Sequence, residues 1–328
     1  MCDKLKKFLQ KILFILLLIV STTITGCGNN VSEENEIHIG YFNNITHAQA
    51  LMLKAEGTLE NCFGDNKTVK WTAFNAGPAE VEALFSGDID IGYIGPVPAI
   101  SANVKSSGDV VIISSAAKGG AVLVKRKGSD IKTIADLDGK VIAIPQMGNT
   151  QHLSLLKLLD DNNLKPTTNG GTVTISAVSN ADVANTMKRG DIDAAYVPEP
   201  WGATLLEEDA ELMLDYNEIY YNGEYDVALV VARKEFIEKK PEIIEEFLKQ
   251  HKEATEKINN DRDNSLKIIN NELKEATGKA LDNDIISKAF ERIGISTKIN
   301  EESILDFANI SKKEGFISEL PKGDLIWH

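Results

Sequence analysis

A near-repeat constrains this chain more than any other feature. Gly87-Asp88-Ile89-Asp90-Ile91-Gly92-Tyr93-Ile94 returns 103 residues later as Gly190-Asp191-Ile192-Asp193-Ala194-Ala195-Tyr196-Val197. In both copies a glycine stands where a helix should end, suited to the left-handed φ of a helix C-cap. An aspartate then opens a turn, and Ile-Asp-x-x-Tyr runs into a strand. A strand–loop–helix unit lies upstream of each copy, with Asn75 or Asn180 in its loop. Matched surroundings of this kind imply two similarly built lobes.

The runs 37–40, 69–74, 141–144 and 173–178 read as strands. Each leads through a small polar loop into an apolar stripe of helical spacing: Ala48, Leu51, Met52 and Ala55; Val81, Leu84 and Phe85; Leu153, Leu156 and Leu159; Val183 and Met187. Such alternation is the signature of an α/β fold with mostly parallel strands. The β-rich runs 121–125 and 227–232 are the candidate crossings between lobes. After Arg233 the chain turns helical, with Pro241 suited to a first turn and Ile243, Ile244, Phe247, Leu248 and His251 on one stripe. The Lys/Glu/Asn-rich helices over 262–315 read as solvated faces.

The first 26 residues read as a leader. Lys4, Lys6, Lys7 and Lys11 precede a nine-residue apolar run, 12–20, too short for a span of about 20 residues but suited to an export signal. Ile24-Thr25-Gly26-Cys27 resembles a bacterial lipobox, which makes Cys27 the lipidated first residue of the mature chain, on the extracytoplasmic face of the cell membrane. Residues 27–36 then form a polar tether. Cys62 is left alone, so no internal disulfide is expected.

Asp and Glu number 49 against 35 Lys and Arg, a formal charge of −14. That balance speaks against a nucleic-acid partner. It also means that a bound anion must be held by local donors against the global field. Catalytic signatures are missing: no nucleophile elbow, no phosphate loop, no dinucleotide fingerprint. The five histidines form no metal spacing. Neither a cofactor nor a resident metal is expected, nor is catalysis.

What remains is a set of helix starts, whose free N–H groups and partial positive charge suit an anion. In the stretch Gln146-Met147-Gly148-Asn149-Thr150-Gln151, Gly148 lets backbone approach a ligand, and Asn149, Thr150 and Gln151 add neutral donors. The competing reading is that Asn149 or Thr150 only caps its own helix. Asn75-Ala76-Gly77-Pro78 is the same device in the first lobe. Asn44 and His47 precede another helix, and Asn180 opens a fourth, where capping is the stronger reading. Two stiff Pro-rich loops follow the repeated strands, carrying Tyr93, Gly95 and Pro96 in one and Glu199 and Trp201 in the other. Tyr93 and Trp201 are candidate walls of a small site. Glu199 is either a structural acceptor or the partner of a ligand ammonium.

At these residues a family resemblance appears. Phe74-Asn75-Ala76-Gly77-Pro78, Gly87-Asp88-Ile89-Asp90, Gly95-Pro96-Val97-Pro98 and Pro198-Glu199-Pro200-Trp201, with the lipobox, resemble the substrate-binding lipoproteins of ABC importers of the nitrate/sulfonate/taurine type, and within them the aliphatic-sulfonate-binding proteins. The resemblance covers about residues 37–255. It implies a two-lobed periplasmic-binding-protein-like fold of type II, with lobe 1 as 37–123 plus 229–328 and lobe 2 as 124–228. It implies a monomer that holds a small anion or zwitterion in the interlobe cleft and delivers it to a permease with its ATPase. Family contacts carry over to 43–47, 75–78, 93–96, 146–151, 180 and 199–201. Where sulfonate binders often carry a Ser-rich stretch, this chain has Gly148-Asn149-Thr150-Gln151. Nitrate, bicarbonate and thiamine-precursor pyrimidines stand beside sulfonates as family ligands. A ligand-presenting sensor, or an enzyme on the same fold, is the alternative from another class.

Overall fold

The computed structural model describes residues 35–64, 67–208, 210–278 and 280–327. The leader and Cys27 lie outside the described residues. In chain order the elements are β1 (Glu36–Phe42), α1 (Ala48–Glu56), α2 (Thr58–Phe63), β2 (Thr68–Phe74), α3 (Gly77–Ser86), β3 (Ile91–Ile94), α4 (Pro96–Lys105), β4 (Val110–Gly119) and β5 (Ala121–Arg126). Then follow β6 (Val141–Ile144), α5 (Thr150–Asp161), β7 (Thr174–Ala177), α6 (Val183–Lys188), β8 (Ala194–Pro198), α7 (Trp201–Glu208), β9 (Ala210–Leu214) and α8 (Tyr216–Ile219). The last are β10 (Asp226–Arg233), α9 (Lys234–Lys239), α10 (Pro241–Asn260), α11 (Arg262–Thr277), α12 (Asn283–Glu291), β11 (Ile293–Ile295) and α13 (Glu301–Lys313).

The strands form two sheets, ordered β11-β4-β10-β3-β1-β2 and β7-β6-β8-β5-β9. The centre of each is built alike. β3 runs parallel to β1 and antiparallel to β10; β8 runs parallel to β6 and antiparallel to β5. The two repeat copies therefore occupy equivalent strands. The antiparallel neighbours are exchanged: β5 precedes the unit it completes, and β10 returns from that unit to complete the first. The runs expected to cross between lobes do not themselves cross, since β5 pairs only in the second sheet and β10 only in the first. The chain changes sheets at Gly119-Gly120, both at positive φ, and returns between Leu214 and Asp226.

The second aspartate of each repeat fastens its sheet. Asp90 Oδ2 accepts from the His38 N–H on β1 at 3.0 Å, and Oδ1 accepts from Arg233 Nη2, at the end of β10, at 2.7 Å. Asp193 Oδ2 accepts from the Val141 N–H on β6 at 2.9 Å, and Oδ1 meets Arg126 Nη2, at the end of β5, at 3.5 Å. One carboxylate thus ties the parallel neighbour to the antiparallel one. Gly87 and Gly190 take φ of 82° and 78°, the left-handed turn that lets each aspartate follow its helix directly.

Most of the expected stripe residues face the core, with Leu51, Met52, Leu84, Leu153, Leu159, Val183 and Met187 buried, but Ala55 and Phe85 are exposed, on the solvent side of α1 and α3. α10 carries its own stripe, with Ile243, Ile244, Phe247 and His251 buried. Asp90 is the more enclosed of the two fastening carboxylates, its side chain 12% exposed against 23% for Asp193. Replacing Asp90 with Ala strands a backbone N–H and a guanidinium, at about 2–4 kcal/mol, and Asp193→Ala is expected to cost about half as much. Urea unfolding of the two variants measures both; equal losses would show that the buckle works independently of its burial.

Candidate functional site

The C-terminal ends of the parallel strands in both sheets face each other. There the loops make an inner pocket of about 30 Å³ opening into an outer cavity of about 930 Å³. Phe42, Asn44, Asn75 and Asn180 line both. Among the described residues, neither wall carries a lysine or arginine.

The inner pocket collects helix starts. Asn44 caps the one-turn helix Ile45–His47, accepting from the Thr46 N–H at 3.1 Å and from the Thr46 hydroxyl. Ala76 and Gly95 cap α3 and α4 with no side-chain bond, so first-turn N–H groups remain unclaimed by any cap. Asn149 caps α5, its Oδ1 accepting from His152 N–H at 2.9 Å and its Nδ2 donating to Gln151 Oε1 at 3.0 Å. Capping is thus what Asn149 does here. Thr150, one residue on, is 4% exposed and its hydroxyl has no partner; Asn180, 8% exposed, has an unpartnered carboxamide oxygen. Groups of this kind are uncommon in native interiors, and these two line the inner pocket.

His47 is 1% exposed and stacks on Phe42 with ring centroids 4.4 Å apart. Its Nδ1 accepts from the Phe42 N–H at 3.1 Å, which fixes the proton on Nε2. Burial pulls its pKa from 6.5 to about 3. His47 is therefore a neutral donor on the inner wall.

The two units touch across this pocket. Asn75 Nδ2 donates to the Pro145 carbonyl at 3.5 Å. Gly95 lies so close to Thr150 that a Cβ on it would strike the Thr150 hydroxyl oxygen. A side chain at Gly95 would hold the two units apart.

Of the residues expected at the site, Asn44, His47, Asn75, Ala76, Gly77, Gly95, Asn149, Thr150, Gln151 and Asn180 line the inner pocket, and Trp201 lines the outer cavity. The others stand elsewhere. Tyr93 is fully buried in the first unit, not a wall of the site. Its hydroxyl donates to His251 Nδ1 at 2.9 Å, because His251 Nε2 donates to the Ser115 carbonyl at 2.9 Å. Pro96 opens α4 without lining either space, and Gln146 is half-buried outside both. Gly148 lines a separate hollow of about 260 Å³ with Met147 and Phe316.

Glu199 is fully buried and faces no ligand space. Its Oε2 accepts from the Ala203 N–H at 2.9 Å and its Oε1 pairs with Arg292 Nη1 at 3.1 Å. Burial raises its pKa to about 7, although Arg292 and the amide pull the other way. The carboxylate fastens the start of α7 to Arg292, the contacts that the structural reading of Glu199 expects.

Sequence reasoning missed Phe42 and Phe74, the paired last residues of β1 and β2; their place at strand ends was the available signal. It also missed Leu281, Asp282 and Ile285, which come to the outer cavity from the C-terminal helices.

The model of the NMT1-like family matches residues 30–270, and the chain belongs to that family. The taurine-binding periplasmic protein of Escherichia coli (strain K12) is 36% identical over 183 residues, 56% of this chain and 55% of that protein. The chain thus spans about half the length of that relative. Among solved structures, the alkanesulfonate-binding protein from Xanthomonas axonopodis pv. citri, bound to MOPS, superposes with a TM-score of 0.73 at 22% identity, covering 89% of this chain and 96% of that one. The periplasmic aliphatic sulphonate binding protein from Escherichia coli gives 0.70 at 24%, covering 90% and 92%. At these identities the two structures establish a shared fold, the two-sheet periplasmic binding protein architecture.

Protonating His47 would set an N–H on Nδ1 against the Phe42 N–H. His47 is therefore expected to add no rise in anion affinity as pH falls from 9 to 6. Calorimetric titration across that range checks this; a Kd that tightens as pH falls through 6.5 would mean that His47 binds as a cation.

Proposed function

We propose that this chain is the extracytoplasmic solute-binding lipoprotein of an ABC importer, anchored through lipid on Cys27. It acts as a monomer without catalysis or cofactor, capturing an organosulfonate between two lobes and handing it to a permease driven by its ATPase. Lobe 1 comprises residues 37–120 with 226–328, and lobe 2 comprises 121–225. These limits are drawn where strand pairing changes sheet and lie within three residues of the divisions at 123/124 and 228/229.

One observation carries the reading: a small pocket lined by helix starts and neutral side chains, with no cation among its described residues. A sulfonate spreads its charge over three oxygens and stays ionised at every physiological pH, so it needs several donors and no proton acceptor. About 30 Å³ holds one or two water-sized groups. The family membership and the sulfonate- and taurine-binding names of the relatives point the same way. Ligand bridging Asn44, His47 and Gly77 on one side and Thr150 and Asn180 on the other would favour the closed form.

Calorimetry of the purified chain with methanesulfonate, butanesulfonate, taurine, sulfate, nitrate, bicarbonate and a hydroxymethylpyrimidine tests the proposal. Sulfonates are expected to bind at micromolar Kd or tighter, and Thr150→Val to weaken them roughly 10- to 100-fold by removing a bond to a charged group. Silent sulfonates with a bound pyrimidine would move recognition to the aromatic outer wall and overturn the assignment.

A further inference from the structure

Residues 300–327 are anchored to the first unit and lean on the second. At one end the Asn300 N–H donates to Asp226 Oδ2, at the head of β10, at 2.7 Å. At the other, the Ile112 N–H on β4 donates to the Leu325 carbonyl at 2.9 Å, and the Trp327 N–H donates to the Ile112 carbonyl at 2.8 Å. Between these anchors α13 packs on α4. The same stretch reaches the second unit. Asp306 accepts from the Tyr220 hydroxyl, Lys313 pairs with Asp160 at 2.6 Å, and the Phe316 ring meets the His152 ring with centroids 5.0 Å apart. The stretch lies beyond residue 270, where the family match ends.

The Phe316 contact is set by a turn. α13 ends at Lys313, and Gly315, at φ of 77°, bends the chain so that the Phe316 N–H returns to the Ser311 carbonyl at 2.8 Å. Phe316 then stands in the hollow of about 260 Å³, with Met147 and Gly148 of the second unit and Pro78 and Pro98 of the first. Neither Phe316 nor His152 lines the inner pocket or the outer cavity.

His152, in the first turn of α5, ties two things together. Its N–H donates to Asn149 Oδ1, the cap of that helix, at 2.9 Å, and its Nδ1 accepts from the Gly148 N–H at 3.0 Å. Burial lowers its pKa to about 4, so the ring stays neutral and Nδ1 stays an acceptor. The loop it holds needs that support. Met147 is 44% exposed, and Gly148, at φ of 84°, has the backbone freedom of glycine. Thr150, whose unpartnered hydroxyl lines the inner pocket, follows directly.

We infer that Phe316 is a positioning residue for the anion site: it braces His152, and through His152 it holds the 146–149 loop and Thr150 in place against the first unit. This rests on the reading of the inner pocket as the anion site.

The first arm of the test needs no ligand. Amide exchange of the full chain, resolved by residue with NMR, reads the Gly148 N–H directly. Phe316→Ala is expected to speed its exchange roughly tenfold, while the His38 N–H, tied to Asp90 in the first sheet, keeps the parent rate. Phe316→Leu, which retains an apolar brace, should restore most of the protection. An equal rise at both amides would mean a general loss of stability and would overturn the inference.

The second arm titrates methanesulfonate and butanesulfonate calorimetrically. Phe316→Ala lowers the fraction of chains whose site is assembled, so both Kd values should rise by one common factor, roughly three- to tenfold. His152→Asn keeps an acceptor at the δ1 position and loses the ring, so adding Phe316→Ala to it should change little further. A full Phe316 effect in that background, or a loss confined to the longer ligand, shows action by another route and overturns the inference. If the parent binds no sulfonate, the assignment of function falls, and the exchange arm alone then decides whether Phe316 braces the loop.

Discussion

The geometry of the cleft depends on one interaction made twice, the aspartate that ties three strands together at the entrance of each repeated strand. Asp90 and Asp193 each hold the backbone of the parallel neighbour and an arginine at the end of the antiparallel one. β3 and β8 are buried along their whole length, so their side chains alone give little to distinguish one register from the next. A slip of one residue would turn every side chain to the opposite face. The buckle supplies the missing register information at the N-terminal end of each strand. The C-terminal ends then fall into place, and they deliver Gly95 and Pro198 to the inner pocket.

The same logic explains what could be read from the sequence. The repeat was legible because its glycine, aspartate and tyrosine sit in one short window. The exchange of β5 and β10 was not. A β-rich run announces a strand but not its partner, and β10 finds Ile94 more than a hundred residues back along the chain. At the site, helix starts were legible because small and amide residues between a strand and an apolar stripe have a local cause. Tyr93 was not, since a strand buried on both faces offers no alternation to say which way its ring points. Glu199 waited on Arg292, a residue with no sequence signal linking it to the loop. Leu281 and Ile285 were concealed among charged residues whose periodicity describes a solvated helix, and only the fold brings that helix to the cavity.

Holding an anion inside an acidic chain without arginine has an electrostatic rationale. A guanidinium enclosed in a pocket of this size would carry its own desolvation cost when the pocket is empty. Helix starts and neutral side chains carry a smaller one, and their dipoles already point inward. His47 fits the scheme because the Phe42 N–H occupies its second nitrogen: it donates without becoming charged. Under the proposed function, the empty pocket carries little desolvation cost, and a bound anion would gain from several moderate bonds in place of one strong ion pair.

The C-terminal segment meets the chain where it passes from one sheet to the other. Arg292 receives the Gly120 N–H on its carbonyl at 2.8 Å, and Gly120 in turn accepts the Glu199 N–H at 2.8 Å. The Arg292 side chain binds Glu199 and, at 2.8 Å, Asp215. Both stretches that connect the sheets, at Gly120 and Asp215, and the β8–α7 loop at Glu199 therefore converge on one residue. Beyond it, β11 pairs with β4 in the first sheet, while before it α12 is fastened to α7 of the second unit. α12 thus links the Gly119-Gly120 junction of the two sheets to the Leu281–Ile285 side of the outer cavity through one continuous set of contacts.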